Sequence, residues 1–286
     1  MREIRNVVVV GAGTMGSQIA LQTALSGRYQ VALVDTAPGQ LERAGKQNQG
    51  LVSRAVEKGR INADDGAAAL ERITPSDDLA VTAAGADLVI EAVVEDFDAK
   101  QAVFTALGDE APEDAIVASN SSTIAISRLA SFTGHPERCC NMHFFHPVTV
   151  MQLCEVVRGP ETSQATVDSA MAFVRNIGRT PVLLQKEIWG FIVNRILFAA
   201  SEEAMHLLEG GYASAEDIDT AVQKGLNWPM GPFHLLDFSG LDIFYGAMKD
   251  RHRQGEGADA PELLRKLVES GHLGRKSGKG FFDYPA

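Results

Sequence analysis

Asn6-Val7-Val8-Val9-Val10-Gly11-Ala12-Gly13-Thr14-Met15-Gly16 decides how the first half of this chain is read. The four valines form a β-branched run with no polar alternation, the composition of a parallel strand buried on both faces. Three glycines follow at once. Ser17 to Ser26 then reads as a helix closed by Gly27. Val31 to Val34 reads as a second strand ending in Asp35, 24 residues after Gly11. The order is strand, glycine turn, helix, strand, acid.

Each glycine has its own physical task. Gly11 allows a tight turn, Gly13 lets a pyrophosphate approach the backbone, and Gly16 lets the helix pack close to the sheet. Thr14 and Met15 open a helix whose N-terminus favours negative charge. Asp35 can hydrogen-bond ribose hydroxyls and would repel a 2′-phosphate, which favours NAD over NADP. The expectation is a Rossmann-type domain with NAD as cofactor.

Working outward, residues 38 to 72 have the pattern of a helical hairpin broken at Gly59, with Arg43, Lys46, Arg54, Lys58 and Arg60 along it. These cations form either a solvated face or a basic lip for a phosphate-bearing ligand. Asp87 to Val94 reads as a strand with Glu95 at its end and Lys100 in the next helix. Ala115 to Ala118 reads as another, followed by Ser119-Asn120-Ser121-Ser122. Strand C-terminal ends line the ligand crevice of open α/β sheets, so these short polar residues are either contacts or plain turn chemistry. After Val157 come an amphipathic helix over 161–177 and a last strand over 181–184. From Trp189 onward the chain reads as helices, with an apolar stretch over 191–208, a capping box at Ser214 to Asp217, and prolines 232 and 261 opening two more. The fold class expected is α/β: a Rossmann-type dinucleotide-binding domain over 1–185 with a hairpin insertion at about 40–72, then an all-α domain over 186–286. The helical part has more apolar surface than it needs alone, which suggests packing on the first domain or on a second subunit.

A second stretch carries the chemistry: Asn141-Met142-His143-Phe144-Phe145-His146-Pro147-Val148, with Glu155 twelve residues after His143 inside Leu153-Cys154-Glu155-Val156-Val157. A carboxylate embedded in an apolar run needs a partner. If the two runs lie side by side, Glu155 can hold the imidazole of His143, the base-plus-orienter arrangement of acid–base sites. The plainer alternative is a core histidine. His143-x-x-His146 lacks the helical spacing of a metal pair, and no cysteine cluster completes a zinc site, so no metal is expected.

Net charge is −11 and the sequence pI about 5.1 over 286 residues, which argues against nucleic acid as the main partner. An anionic ligand needs a local basic patch or helix N-termini. Cys139, Cys140 and Cys154 give no disulfide framework, and reduced buried thiols suit a cytoplasmic location. No apolar run approaches the ~18 residues of a membrane span, and no signal peptide fits before the first strand.

Taken together these residues resemble the L-3-hydroxyacyl-CoA dehydrogenase family, which includes 3-hydroxybutyryl-CoA dehydrogenases. The motifs that carry the resemblance run nearly end to end: Gly11-Ala-Gly-Thr-Met-Gly16, Glu91-Ala-Val-Val-Glu95, Ser119-Asn-Ser-Ser122, His143-Phe-Phe, Glu155, Gly190-Phe-Ile-Val-Asn194-Arg195, Pro229-Met-Gly-Pro232 and Gly274-Arg-Lys-Ser-Gly278. The resemblance implies NAD-dependent, reversible oxidation of (S)-3-hydroxyacyl-CoA to 3-ketoacyl-CoA, and a homodimer. It implies His143 as general base, Glu155 as its orienter, and Ser122 and Asn194 near the reacting oxygen. Asp35, Ala92, Glu95, Lys100 and Asn120 join the glycine loop as NAD-contacting positions, and the hairpin matches the region that helps hold CoA. Two positions depart from the family: His146 stands where an Asn is usual, and Trp189 where a Pro is frequent. The first can titrate near neutrality; the second either reshapes the acyl pocket or packs in the core. Two other classes stay open, a dehydrogenase of a free hydroxy acid or sugar acid and a non-catalytic NAD-binding protein.

Overall fold

The computed structural model describes residues 3–284. Eight strands form one sheet in the order β3-β2-β1-β4-β5-β6-β7-β8 among these residues. They are β1 (Asn6–Val10), β2 (Gln30–Val34), β3 (Ile73–Ser76), β4 (Leu88–Glu91), β5 (Ile116–Ser119), β6 (Cys139–Phe144), β7 (Leu153–Val157) and β8 (Thr180–Leu184). All neighbours are parallel except β6 and β7. The helices of this part are α1 (Thr14–Leu25), α2 (Gln40–Glu57), α3 (Ala63–Glu71), α4 (Leu79–Ala83), α5 (Phe97–Glu110) and α6 (Gln164–Asn176).

The valine run explains the layering. Val7 and Val9 face one apolar cluster with Ile19, Leu33 and Ile90, whereas Val8 and Val10 face another with Val89, Phe104 and Leu107. A strand covered on both sides has no polar face to alternate. Helix α1 is buried from Gly16 to Ala24 because the sheet covers one side and α2 and α3 the other. The hairpin turns at Gly59, φ +63°, and Asn62 caps α3 by accepting from Asp65 N. Chain order reverses at β1, which lies between β2 and β4, so the crevice of the open sheet falls at the C-terminal end of β1, where Gly11 sits.

The chain divides into two compact units after Phe191. The division falls beyond 185–187 because Phe191 is buried with Val157 and Leu184. The second unit consists of α7 (Val193–Glu209), α8 (Ala215–Leu226), α9 (Pro232–Ser239), α10 (Leu241–Arg253) and α11 (Glu262–Glu269). Within it, Phe198 stacks on Phe244 at 4.2 Å. Buried Asp219 accepts from the N–H groups of Phe233 and His234, satisfying the start of α9. Buried Asp237 accepts from Phe281 N, Phe282 N and Tyr284 Oη, which folds the Gly274–Gly278 motif back onto α9. No helix among the described residues is long and apolar enough to cross a membrane.

Candidate active site

The glycine loop is shaped by contact as much as by torsion. Gly11 has φ +101°, and a Cβ there would stand 2.6 Å from the Ala92 carbonyl oxygen. A Cβ on Gly16 would lie 1.8 Å from the Gly11 carbonyl oxygen, so only glycine permits this helix–turn approach. Gly13 opens α1 with no side-chain cap and no acidic residue in the first turn, and a Cβ there would meet nothing within 4 Å. Asp35 Oδ2 accepts from Ala12 N at 2.7 Å and Oδ1 from Ala37 N at 2.8 Å, which ties the end of β2 to the loop. Gln40 Nε2 donates to Ala12 O at 2.6 Å. Beside these residues runs a groove of about 500 Å³ lined by Gly11, Gly13, Asp35, Gln40, Ala92 and Val94. Open space at an uncapped helix N-terminus and an acid at the end of β2 fit a dinucleotide.

His143 and Glu155 are register partners in the antiparallel β6–β7 pair. Their side chains therefore leave the same face of the sheet, and His143 Nδ1 lies 2.7 Å from Glu155 Oε2. Glu155 is 0% exposed and His143 6%. An ionised carboxylate can only accept, so with Glu155 in that form Nδ1 donates and a neutral ring presents its lone pair at Nε2. Phe145 and Phe191 flank the imidazole, with ring centroids at 4.4 and 5.6 Å. Phe191 holds a left-handed backbone, φ +50°, directly after Gly190 at φ +72°. Trp189 is buried, and His146 is exposed just beyond β6.

The loop after β5 is tied to both neighbouring strands. Asn120 Oδ1 accepts from Phe144 N at 2.9 Å, next to His143. Glu95 Oε1 accepts from Ser121 Oγ, Ser122 N, Thr123 N and Thr123 Oγ1 at 2.5–3.1 Å. Burial pushes the Glu95 carboxyl pKa upward, but the Lys100 ammonium and the Ser121 and Thr123 hydroxyls outweigh it and hold the group below its ordinary value. Lys100 is 1% exposed, its ammonium enclosed by Glu91 Oε1 (2.7 Å), Glu95 Oε2 (3.2 Å) and the Val93 carbonyl (3.5 Å). Asn194 lies in the first turn of α7, in the second unit.

A larger cavity, about 710 Å³, opens between the C-terminal parts of α1 and α2 and the segments around Pro147 and Gly178. Arg28, Arg54, Lys58, Arg60 and Arg179 line it, and no Asp or Glu does. In a chain of net charge −11 this is a local reversal of the field. Arg179 donates to Val148 O and to Gln22 Oε1, and burial pulls its pKa below the ordinary arginine value. Among the described residues, no group of three or more His, Cys, Asp or Glu is arranged to hold a metal ion.

Two residues the sequence reading passed over are prominent here. Glu91 appeared only inside a motif, yet it is a carboxylate closing the apolar strand Leu88–Glu91, the same signal that singled out Glu155. Arg179 lies far along the chain from the hairpin cations, and nothing local marks it as their neighbour.

A family model described as 3-hydroxyacyl-CoA dehydrogenase, NAD binding domain, matches residues 6–188, and one described as 3-hydroxyacyl-CoA dehydrogenase, C-terminal domain, matches residues 190–284. The chain belongs to the 3-hydroxyacyl-CoA dehydrogenase family. It is 40% identical over 284 residues to a probable 3-hydroxybutyryl-CoA dehydrogenase of Bacillus subtilis (strain 168), covering 99% of this chain and 98% of that one. The solved structure of (S)-3-hydroxybutyryl-CoA dehydrogenase PaaH1 from Ralstonia eutropha is similar at TM-score 0.93 and 36% identity, over 99% of this chain and 100% of the other. A diketoreductase of dicarbonyl compounds is similar at TM-score 0.89 and 34% identity, over 99% and 100%. Membership of this oxidoreductase family agrees with the expected fold class and with NAD as cofactor.

Proposed function

We propose that this dehydrogenase interconverts (S)-3-hydroxyacyl-CoA, such as 3-hydroxybutyryl-CoA, and 3-ketoacyl-CoA, with His143 as the acid–base group. The observation that carries the reading is the buried His143–Glu155 pair, which leaves Nε2 as the proton acceptor. In the oxidising direction Nε2 takes the proton of the substrate 3-hydroxyl. NAD, when bound, would supply the acceptor for the hydride lost from C3. Glu155 stabilises the imidazolium that forms and keeps the ring from turning. The family resemblance assigns Ser122 and Asn194 to the reacting oxygen or its neighbours. Gly11, Gly13, Thr14, Met15, Gly16, Asp35, Ala92, Glu95, Lys100 and Asn120 belong to the cofactor side; Lys100 serves there through Glu95.

The five-cation cavity supports a CoA thioester over a free acid, because a phosphate-rich nucleotide handle needs such a patch on an acidic protein. The names of the relatives, 3-hydroxybutyryl-CoA dehydrogenases, support a short acyl chain, and a place in fatty-acid or butanoate metabolism is part of the same proposal. Exposed Ile196, Leu226, Phe238 and Ile243 on the helical unit support a homodimer, and three free, buried cysteines support a reducing, cytoplasmic location. A second reading, a dehydrogenase of a free carbonyl or hydroxy acid, is favoured by the likeness to the diketoreductase. His143→Gln tests the role of the histidine: turnover should fall about 10²–10⁴-fold with NADH binding retained. A fall of less than about tenfold would remove His143 from the mechanism.

A further inference from the structure

At the end of β4 the sheet holds a carboxylate that the mechanism above does not use. Glu91 is 0% exposed, and its register partner on β5 is Ser119. Ser119 Oγ donates to Glu91 Oε2 at 2.6 Å, while Val93 N and Lys100 Nζ donate to Oε1 at 2.8 and 2.7 Å. Both oxygens are thus engaged by protein donors, and the group faces no solvent. A carboxylate in such a place loses its hydration, and these three donors replace it.

What the group holds is more telling than what holds it. Ser119 is the residue from which the Asn120–Thr123 loop departs, and its hydroxyl also accepts from Ser121 N at 3.1 Å. Lys100, fixed by Glu91, presents its ammonium to Glu95 Oε2, and the other oxygen of Glu95 receives the N–H groups of Ser122 and Thr123. The two sides of Glu91 therefore reach the two ends of one loop. Asn120, inside that loop, joins it to Phe144 beside His143.

We propose that Glu91 is a positioning residue for this reaction, fixing through Ser119 on one side and Lys100–Glu95 on the other the loop from which Ser122 meets the reacting oxygen. This rests on the acyl-CoA dehydrogenase reading and on the role given there to Ser122. Glu91→Gln keeps the shape and removes the charge that holds Lys100. The ammonium then has Glu95 as its nearest carboxylate, and Glu95 shifts away from the N–H groups of Ser122 and Thr123. A displacement on the order of 1 Å at a reacting group costs about 10²-fold in rate.

The test is a double-mutant cycle of Glu91→Gln with Ser122→Ala, read as kcat with acetoacetyl-CoA per NADH-binding site titrated by fluorescence. The expected result is a fall of about 10²-fold in kcat for Glu91→Gln alone at saturating NADH, with NADH binding weakened by a smaller factor because Glu95 and Lys100 also stand on the cofactor side. In the Ser122→Ala background the same change should cost less than threefold, because the group through which Glu91 acts is already gone. Equal losses in both backgrounds would make Glu91 merely structural and overturn the proposal. No loss in Ser122→Ala itself would overturn the proposal together with the role of Ser122, and activity of the parent on free acids alone would overturn the substrate reading. Should Glu91→Gln fail to fold, Ser119→Ala loosens the same loop from one side and is expected to show a smaller loss with the same non-additivity; a multiplicative loss there overturns the proposal.

Discussion

Replacing Glu155 by glutamine isolates the charge behind the catalytic imidazole without changing the space it fills. The carboxylate lies 2.7 Å from His143 Nδ1, fully buried, on the strand register that fixes both side chains. Its contribution grows as the ring takes the substrate proton, because only then does it face a full positive charge. The charge-assisted hydrogen bond is worth about 1–2 kcal/mol more than its neutral counterpart, which sets the lower bound. Two unit charges ~4 Å apart at an effective dielectric of about 20 attract by ~4 kcal/mol, which sets the upper bound. At 1.36 kcal/mol per tenfold, Glu155→Gln should lower kcat by roughly 10- to 10³-fold. The assay is NADH oxidation with acetoacetyl-CoA, followed by absorbance at saturating substrate, beside a fluorescence titration of NADH. The titration should be unchanged, since no residue of the cofactor groove moves. A folded Glu155→Gln enzyme with kcat within about threefold of the parent would refute the idea that the carboxylate supports an imidazolium in the reaction.

Three further outcomes follow from the same structure. Reversing two exposed cations of the basic cavity, Arg54→Glu with Lys58→Glu, should raise the KM for acetoacetyl-CoA about tenfold or more with kcat within twofold, and added salt should shrink the difference. Asp35→Asn keeps one acceptor for Ala12 N or Ala37 N but loses the charge, so NAD should bind about 10- to 100-fold more weakly while discrimination against NADP narrows; initial rates with both cofactors measure this. The Glu95 pKa is held below the ordinary 4.5, so the stability it contributes is present above that value and is lost as pH falls through its folded value. In an acid titration followed by amide hydrogen exchange, protection of Ser122 N and Thr123 N should therefore survive at pH 4.5 in the parent, disappear only at lower pH, and be missing at neutral pH in Glu95→Gln.

Much of the fold was legible because each local signal had one physical solution. Four consecutive valines without alternation require cover on both faces, and the alternate residues do enter two separate clusters. The register of His143 with Glu155 could be anticipated from a charge buried in an apolar run, since few partners other than a nearby imidazole were on offer. Strand limits were less legible: the run from Asp87 to Val94 reads as one strand, but pairing stops at Glu91, where the side chain turns to bind Val93 N and Lys100. Helix α10 has no counterpart in the sequence reading, since its buried Leu241, Phe244 and Met248 stand among polar residues with Gly246 between them. The basic cavity was half legible. The hairpin cations were seen, but Arg28 and Arg179 join them only because the end of α1 and the turn before β8 converge there. Glu91 and Ser119 are 28 residues apart, and only the parallel register of β4 and β5 brings them together.

The most direct test of the central claim is NADH oxidation with acetoacetyl-CoA run beside free acetoacetate at equal concentrations. The account predicts turnover with the thioester and a rate with the free acid lower by at least ~10²-fold, since acetoacetate carries a single carboxylate and lacks the phosphates for which the cavity of five cations is suited. Equal or faster turnover of the free acid would contradict the acyl-CoA assignment and leave a dehydrogenase of small carbonyl compounds in its place.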